Sequence, residues 1–199
     1  MDILSAFFST TVQLLALMTP PAVLSAYLSA SRTYDAARKK RTARRTGLAV
    51  LTIGLVLFFL GEKLFMILGF TLDAFRIGAG ALLFLSAVAL MNESKHHTHF
   101  DPKDDISVVP LAIPLCMGPA SIGTVMIIGA SAEHLGQKIT GALSLVVASA
   151  CIYAMLLYAD KMEKILGETG LGVLSKLTGL MLAAIAAQVV FTGIRAFLY

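Results

Sequence analysis

Six long apolar runs divide this 199-residue chain, and the first and fourth carry proline in their interior. The runs cover residues 3–31, 46–60 with an extension towards 70, 74–91, 106–131, 139–158 and 177–198. A helix of roughly 20 apolar residues crosses about 30 Å of hydrocarbon. In that solvent a chain must satisfy its own backbone hydrogen bonds, which restricts it to helices or closed barrels. Composition agrees: 57% of residues are hydrophobic and 14% charged, against about 25% charged in soluble domains, and mean hydropathy is +0.83. The expected fold class is an all-α membrane protein of six transmembrane helices, with the lipid bilayer as its surroundings.

The first run is too long for a signal peptide, and no positive charge precedes it, only Asp2 and the amino terminus. It is therefore kept as a span. The basic residues set the orientation. Arg32, Arg38, Lys39, Lys40, Arg41, Arg44 and Arg45 crowd the first connection, and Lys95, Lys103, Lys161, Lys164 and Lys176 fall on the same side. Only Lys63, Arg76, Lys138 and Arg195 fall opposite. The positive-inside bias places the first connection in the cytoplasm and both termini outside. It also accounts for the formal charge of +4 without nucleic acid as a partner.

The two halves resemble each other. Leu17-Met18-Thr19-Pro20-Pro21-Ala22 matches Cys116-Met117-Gly118-Pro119-Ala120-Ser121 at an offset of 99. Thr46-Gly47 matches Thr140-Gly141, and Glu62-Lys63 with Ile67-Leu68-Gly69 matches Asp160-Lys161 with Ile165-Leu166-Gly167 at an offset of 98. Arg76-Ile77 falls opposite Lys176-Leu177. Residues 1–92 form the first three-helix repeat, 93–105 a cytoplasmic linker and 106–199 the second repeat. Three is odd, so the second repeat inserts upside down. This inverted 3+3 plan, with proline-broken first and fourth helices, suits one unit rocking against the other around a central site.

Proline has no N–H and displaces the carbonyl four residues back. Pro20 and Pro21 free the carbonyls of Ala16 and Leu17, while Pro110, Pro114 and Pro119 act in series in the fourth run. The simple reading is a pair of kinks. The sharper one is a binding site, because freed backbone in lipid survives only where protein or a watery cavity satisfies it. Helix starts after the breaks suit an anionic group, and the freed carbonyls suit an ammonium or a small cation. Candidate substrate-binding residues are therefore Thr19, Pro20, Pro21, Gly118, Pro119, Ser121 and Thr124. No Asp, Glu, Lys or Arg falls near a predicted midplane, which points to a small neutral solute and away from a buried carboxylate relay.

Arg76, near Asp73, reads as an interfacial arginine or as a gate or interface residue. Gln188 and Ser86 read as helix-packing groups. Gly78, Gly80 and Ala81, with Gly179, Ala183 and Ala187, read as small packing faces. Cys116 and Cys151 lie within apolar runs and behave as small hydrophobes. His96, His97 and His99, with Asp101, Asp104 and Asp105, lack a fixed spacing on a regular element and read as a solvated loop, not a zinc site. No nucleophile–base pair or nucleotide motif is present, so no enzyme activity, metal or cofactor is expected.

Four stretches carry a family resemblance. The stretches from Asp73-Ala74-Phe75-Arg76 to Leu83-Phe84-Leu85, from Val109-Pro110-Leu111 through Cys116-Met117-Gly118-Pro119-Ala120-Ser121 to Gly123-Thr124-Val125, and Gly167-Glu168-Thr169-Gly170-Leu171 resemble the MarC family. Leu182-Ala183-Ala184-Ile185-Ala186-Ala187-Gln188 does so too. The resemblance implies a six-helix inner-membrane protein of bacteria or archaea, related to carriers of small neutral amino acids. In the first helix the family tends to show Asn-Pro followed by Gly-Asn, where this chain reads Thr19-Pro20-Pro21-Ala22-Val23. The expected function is secondary transport of a small neutral solute of the glycine or alanine type. The alternatives are an exporter of hydrophobic compounds and a non-transporting scaffold or partner subunit. A homo-oligomer is compatible with each.

Overall fold

The structure, a computed structural model, describes residues 3–69, 71–92 and 105–198. The histidines at 96, 97 and 99 and most of the linker lie outside the described residues. The elements are α1 (Ile3–Leu17), α2 (Pro20–Ala30), α3 (Ala36–Leu68), α4 (Leu72–Asn92), a wide-turned segment Ser107–Cys116, α5 (Pro119–Ala130), α6 (Leu135–Leu157) and α7 (Ala159–Leu198). No strand occurs among the described residues. Three stretches, Ala36–Gly61, Leu135–Leu157 and Gly172–Leu198, are long and apolar enough to cross a membrane. A fourth is made if α1 and α2, bent by 43° at their break, count as one.

Two boundaries differ from expectation. The basic stretch read as a loop is the first three turns of α3, which starts ten residues before Thr46. Asp35 caps it, accepting the backbone N–H of Arg38 at 2.8 Å, and an N-cap carboxylate satisfies an otherwise orphaned donor. Charge density hid a helix that a cap and tertiary contacts stabilise. Arg38 lies 3.8 Å above the Tyr34 ring. Lys39 pairs with Asp160 at 2.7 Å. Likewise Lys161, Lys164 and Lys176 sit on α7, whose helical path is interrupted at Gly167 (φ 63, ψ 174). That left-handed backbone suits glycine.

Proline explains the irregular fourth run. Val109 (φ −120, ψ 121) and Ile113 (φ −127, ψ 126) are extended, and each precedes a proline, whose ring disfavours the helical region for the residue before it. Pro110 also removes the donor for Ile106 O, and Leu111 N–H takes its place at 3.2 Å. That five-residue step widens the turn into π geometry.

The helices of the two halves interleave. α1 packs on α6, α3 on α5, α6 and the Ser107–Cys116 segment, and α4 on α7. The α3–α6 pair is antiparallel: Gly47 meets Tyr153, Gly54 meets Leu145, and Gly141 meets the Phe58 ring. The α4–α7 pair is antiparallel too, with Gly193 against Asp73 and Arg76, and Gly80 against Val190 and Ala186. The face of α7 towards α4 is thus Leu182, Ala186, Val190 and Gly193. Of the expected stripe, Gly179 is buried and Ala183 packs against the same cluster, while Ala187 is exposed.

At one end of the bundle Arg45 pairs with Asp105, and Asp105 Oδ1 accepts both the hydroxyl (2.5 Å) and the amide N–H (3.2 Å) of Ser107. Thr46 donates to Ser107 O at 2.9 Å. The Ser107 hydrogen bond, helped by Arg45 and opposed by slight burial, holds the Asp105 carboxyl below its usual 3.8. A depressed folded value means this tie stabilises above the usual carboxylate pKa and is lost as pH falls through the folded one. Asp105→Asn should therefore lower the thermal midpoint at neutral pH. The gap from wild type should close below about pH 4, and a gap unchanged down to acid pH would contradict the assignment.

Candidate functional site

The two breaks meet. Thr19 lies between α1 and α2 with φ 45 and ψ 58, a left-handed conformation that is an outlier for a β-branched residue. Gly118 lies before α5 with φ −76 and ψ 173, the extended form a pre-proline residue favours. Pro20 and Pro119 begin the helices that follow, and neither helix start carries a side-chain cap.

The freed carbonyls are satisfied across the junction. Pro21 removes the donor for Leu17 O, and the Ser121 hydroxyl donates to it at 2.9 Å. Pro119 removes the donor for Leu115 O, and the Thr19 hydroxyl donates to it at 3.3 Å. Ala16 O, freed by Pro20, takes the Thr19 N–H at 3.2 Å. Each half therefore supplies the hydrogen bond that the other half's proline took away. Leu17 O and Leu115 O are thus each engaged by a hydroxyl, and Ala16 O by a backbone N–H, where the sequence suggested carbonyls left for a solute. Around them Met18, Cys116 and Met117 are fully buried, with Leu17 at 3% and Ser121 at 1% exposure. The buried polar residues among those described are all serine or threonine.

Above this junction, towards the start of α1 and the α5–α6 connection, lies a cavity of about 1110 Å³. Its walls are helix faces at regular spacing: Ala6, Ser9, Thr10, Gln13 and Ala16 from α1, and Met181, Ile185, Gln188, Val189 and Thr192 from α7. α5 adds Thr124, Ile127, Ile128 and Ser131, and α6 adds Gln137 and Thr140. Arg76 reaches the wall from α4. Its guanidinium donates to Asp73 at 2.7 Å and to Ser131 at 3.4 Å. Of the expected site residues whose side chains are described, only Thr124 and Arg76 line the cavity. Thr19 and Ser121 instead bond across the junction. The side chain of Pro119 lies outside the described residues, as does that of Ser86.

Gln13, Ser9 and Thr10 were missed, and Gln188 was assigned to packing. The signal was present: residues 6, 9, 10, 13 and 16 share one helical face and carry small or polar side chains within an apolar run. Three amides (Gln13, Gln137 and Gln188), several hydroxyls, the Arg76 guanidinium and the His134 imidazole can hold a polar solute by hydrogen bonds. The described lining carries no carboxylate.

The sequence pattern described as MarC family integral membrane protein matches residues 4–198. A UPF0056 membrane protein of Methanocaldococcus jannaschii is 29% identical over 96% of this chain and 97% of its own length. The UPF0056 membrane protein YhcE of Escherichia coli K12 is 25% identical over 95% and 92%. The UPF0056 inner membrane protein YhgN of the same strain is 29% identical over 96% and 98%. No solved structure matches. A family pattern running almost from end to end, over an all-helical apolar bundle with paired proline breaks, establishes that the chain belongs to the MarC family of integral membrane proteins.

Proposed function

We propose that this protein is a secondary transporter of a small neutral solute, of the glycine or alanine type. It works by alternating access through six spans arranged as an inverted 3+3 repeat. The observation that carries the reading is the cavity of about 1110 Å³. It is lined by amides and hydroxyls, free of carboxylates among the described residues, and floored by Ala16 and Thr124 beside the junction of the two breaks. Pockets for small solutes are concave, with a few placed polar groups. The polar lining weighs against export of hydrophobic compounds.

The packing pattern supports the inverted repeat. A two-fold axis in the membrane plane makes equivalent helices antiparallel, as α3 with α6 and α4 with α7 are. It also exchanges neighbours. Gly47 of α3 meets the aromatic Tyr153 of α6, and Gly141 of α6 meets the aromatic Phe58 of α3. In this reading the cavity is the vestibule of a state open to one side. The Lys39–Asp160 and Arg45–Asp105 pairs tie the opposite end. The positive-inside bias, with the basic start of α3, supports a tied end in the cytoplasm and both termini outside an inner membrane of bacterial or archaeal type.

Proteoliposomes loaded with glycine or alanine should exchange labelled amino acid from outside. Gln13→Trp, which fills the vestibule, should cut the rate by about tenfold or more at unchanged folded yield. Absence of exchange for every small amino acid, beside a working control transporter, would rule the reading out. A scaffold reading draws on the direct burial of the breaks against each other, and it predicts that absence.

A further inference from the structure

Arg76 is the one permanently charged residue among the described residues that line the cavity. Its side chain is largely embedded, 22% exposed, and ion-paired with Asp73, whose side chain is 28% exposed. One edge of the guanidinium is thus engaged at 2.7 Å, while the other meets only the Ser131 hydroxyl at 3.4 Å. That second contact is longer than a good hydrogen bond. A guanidinium has five donors in a planar fork that matches a carboxylate edge. α7 fixes the stem: a Cβ added at Gly193 would stand 3.0 Å from Arg76 Cβ and 2.9 Å from Asp73 O. The side chain is therefore clamped between α4 and α7 with its underused edge beside α5.

We infer that Arg76 and Ser131 form a carboxylate-recognition site in the cavity wall. A solute carboxylate displaces the long Ser131 contact and takes a charge-assisted pair on the free guanidinium edge. This rests on the transport reading for its physiological use, and narrows the solute class to those with a carboxylate, zwitterionic amino acids among them. The ammonium of a zwitterion then lies away from Arg76, towards the amide and hydroxyl groups of Gln13 and Gln188 on the facing helices.

A second role for Arg76 is structural, joining α4 to α5, and the test separates the two. Thermal stabilisation of the purified full chain is measured against acetate, glycine, glycinamide and methylammonium, with chloride matching ionic strength. Acetate and glycine should stabilise the wild type, and glycinamide and methylammonium should not. Arg76→Gln should raise the apparent Kd for acetate about tenfold or more, the scale of one charged pair lost, and Arg76→Lys should recover part of it. Where Arg76→Gln fails to fold, Ser131→Ala keeps the Asp73 pair and should still change the apparent Kd for acetate by severalfold while leaving chloride without effect. Equal stabilisation of wild type and Arg76→Gln by acetate, or of wild type by glycine and glycinamide, overturns the site. Acetate binding that depends on Arg76 without any transport leaves the site and removes the carrier. Transport of carboxyl-free solutes that ignores Arg76→Gln does the reverse.

Discussion

Gly129→Leu is expected to abolish recovery of folded protein, and Gly129→Ala to lower its thermal midpoint more than Gly141→Ala does. A Cβ on Gly129 would overlap the Phe58 carbonyl oxygen and come within 2.9 Å of its carbon and 3.2 Å of its Cα. Those are backbone atoms in the middle of α3, so relief requires the whole helix to move. Overpacking a core costs typically about 1–3 kcal/mol when side chains can yield, and here the cost should reach the upper end or beyond. At Gly141 the obstacle is the Phe58 ring, with Cε2 at 2.8 Å, and a ring can turn away. Gly61, 3.0 Å from Met126 Cβ by the same construction, lies on the same α3–α5 contact. Size-exclusion recovery after a heat step measures the difference. Equal midpoints for the two alanine variants would mean that the helices are not as close as described.

The second large effect concerns the junction of the breaks. Ser121→Ala leaves Leu17 O, 3% exposed at residue level, without the donor that Pro21 cannot supply. Thr19→Val keeps the branched shape and removes the donor to Leu115 O. An unsatisfied buried carbonyl costs about 1–3 kcal/mol. The two losses should couple in a double-mutant cycle, since both groups hold the same junction. Thr19→Asn should instead stabilise. Left-handed backbone at a β-branched residue stores about 1–3 kcal/mol, asparagine tolerates it far better, and its amide can donate to Leu115 O. A thermal midpoint for Thr19→Asn below that of Thr19→Val would refute both the strain and the hydrogen bond.

Much of the architecture was legible in the sequence. Long apolar runs dictate helices, because unsatisfied backbone is too costly in hydrocarbon. The observed α4 (Leu72–Asn92) and α6 (Leu135–Leu157) lie within a few residues of the expected runs. Proline marked the breaks to within one residue, since a missing N–H acts on its own chain at a fixed distance. The start of α3 was not legible, because seven basic residues in fourteen resemble a solvated loop until Asp160 and Asp105 are brought to them. Nor was the wall formed by Gln13 and Gln188, which lie 175 positions apart in the sequence and share a cavity only after α1 and α7 pack.

The breaks mark the boundary between the two kinds of information. Local covalent chemistry determined that Leu17 O and Leu115 O would lose their helical donors. Which groups replace those donors depends on how the halves cross. Only the tertiary structure decided that Ser121 and Thr19 reach over, so that the carbonyls expected to meet a solute meet each other's half instead. The cavity accordingly lies beside the breaks, where helix faces of small and polar residues leave room, and not within them. Sequence separation carries no distance between helices, and the packing of side chains supplies it.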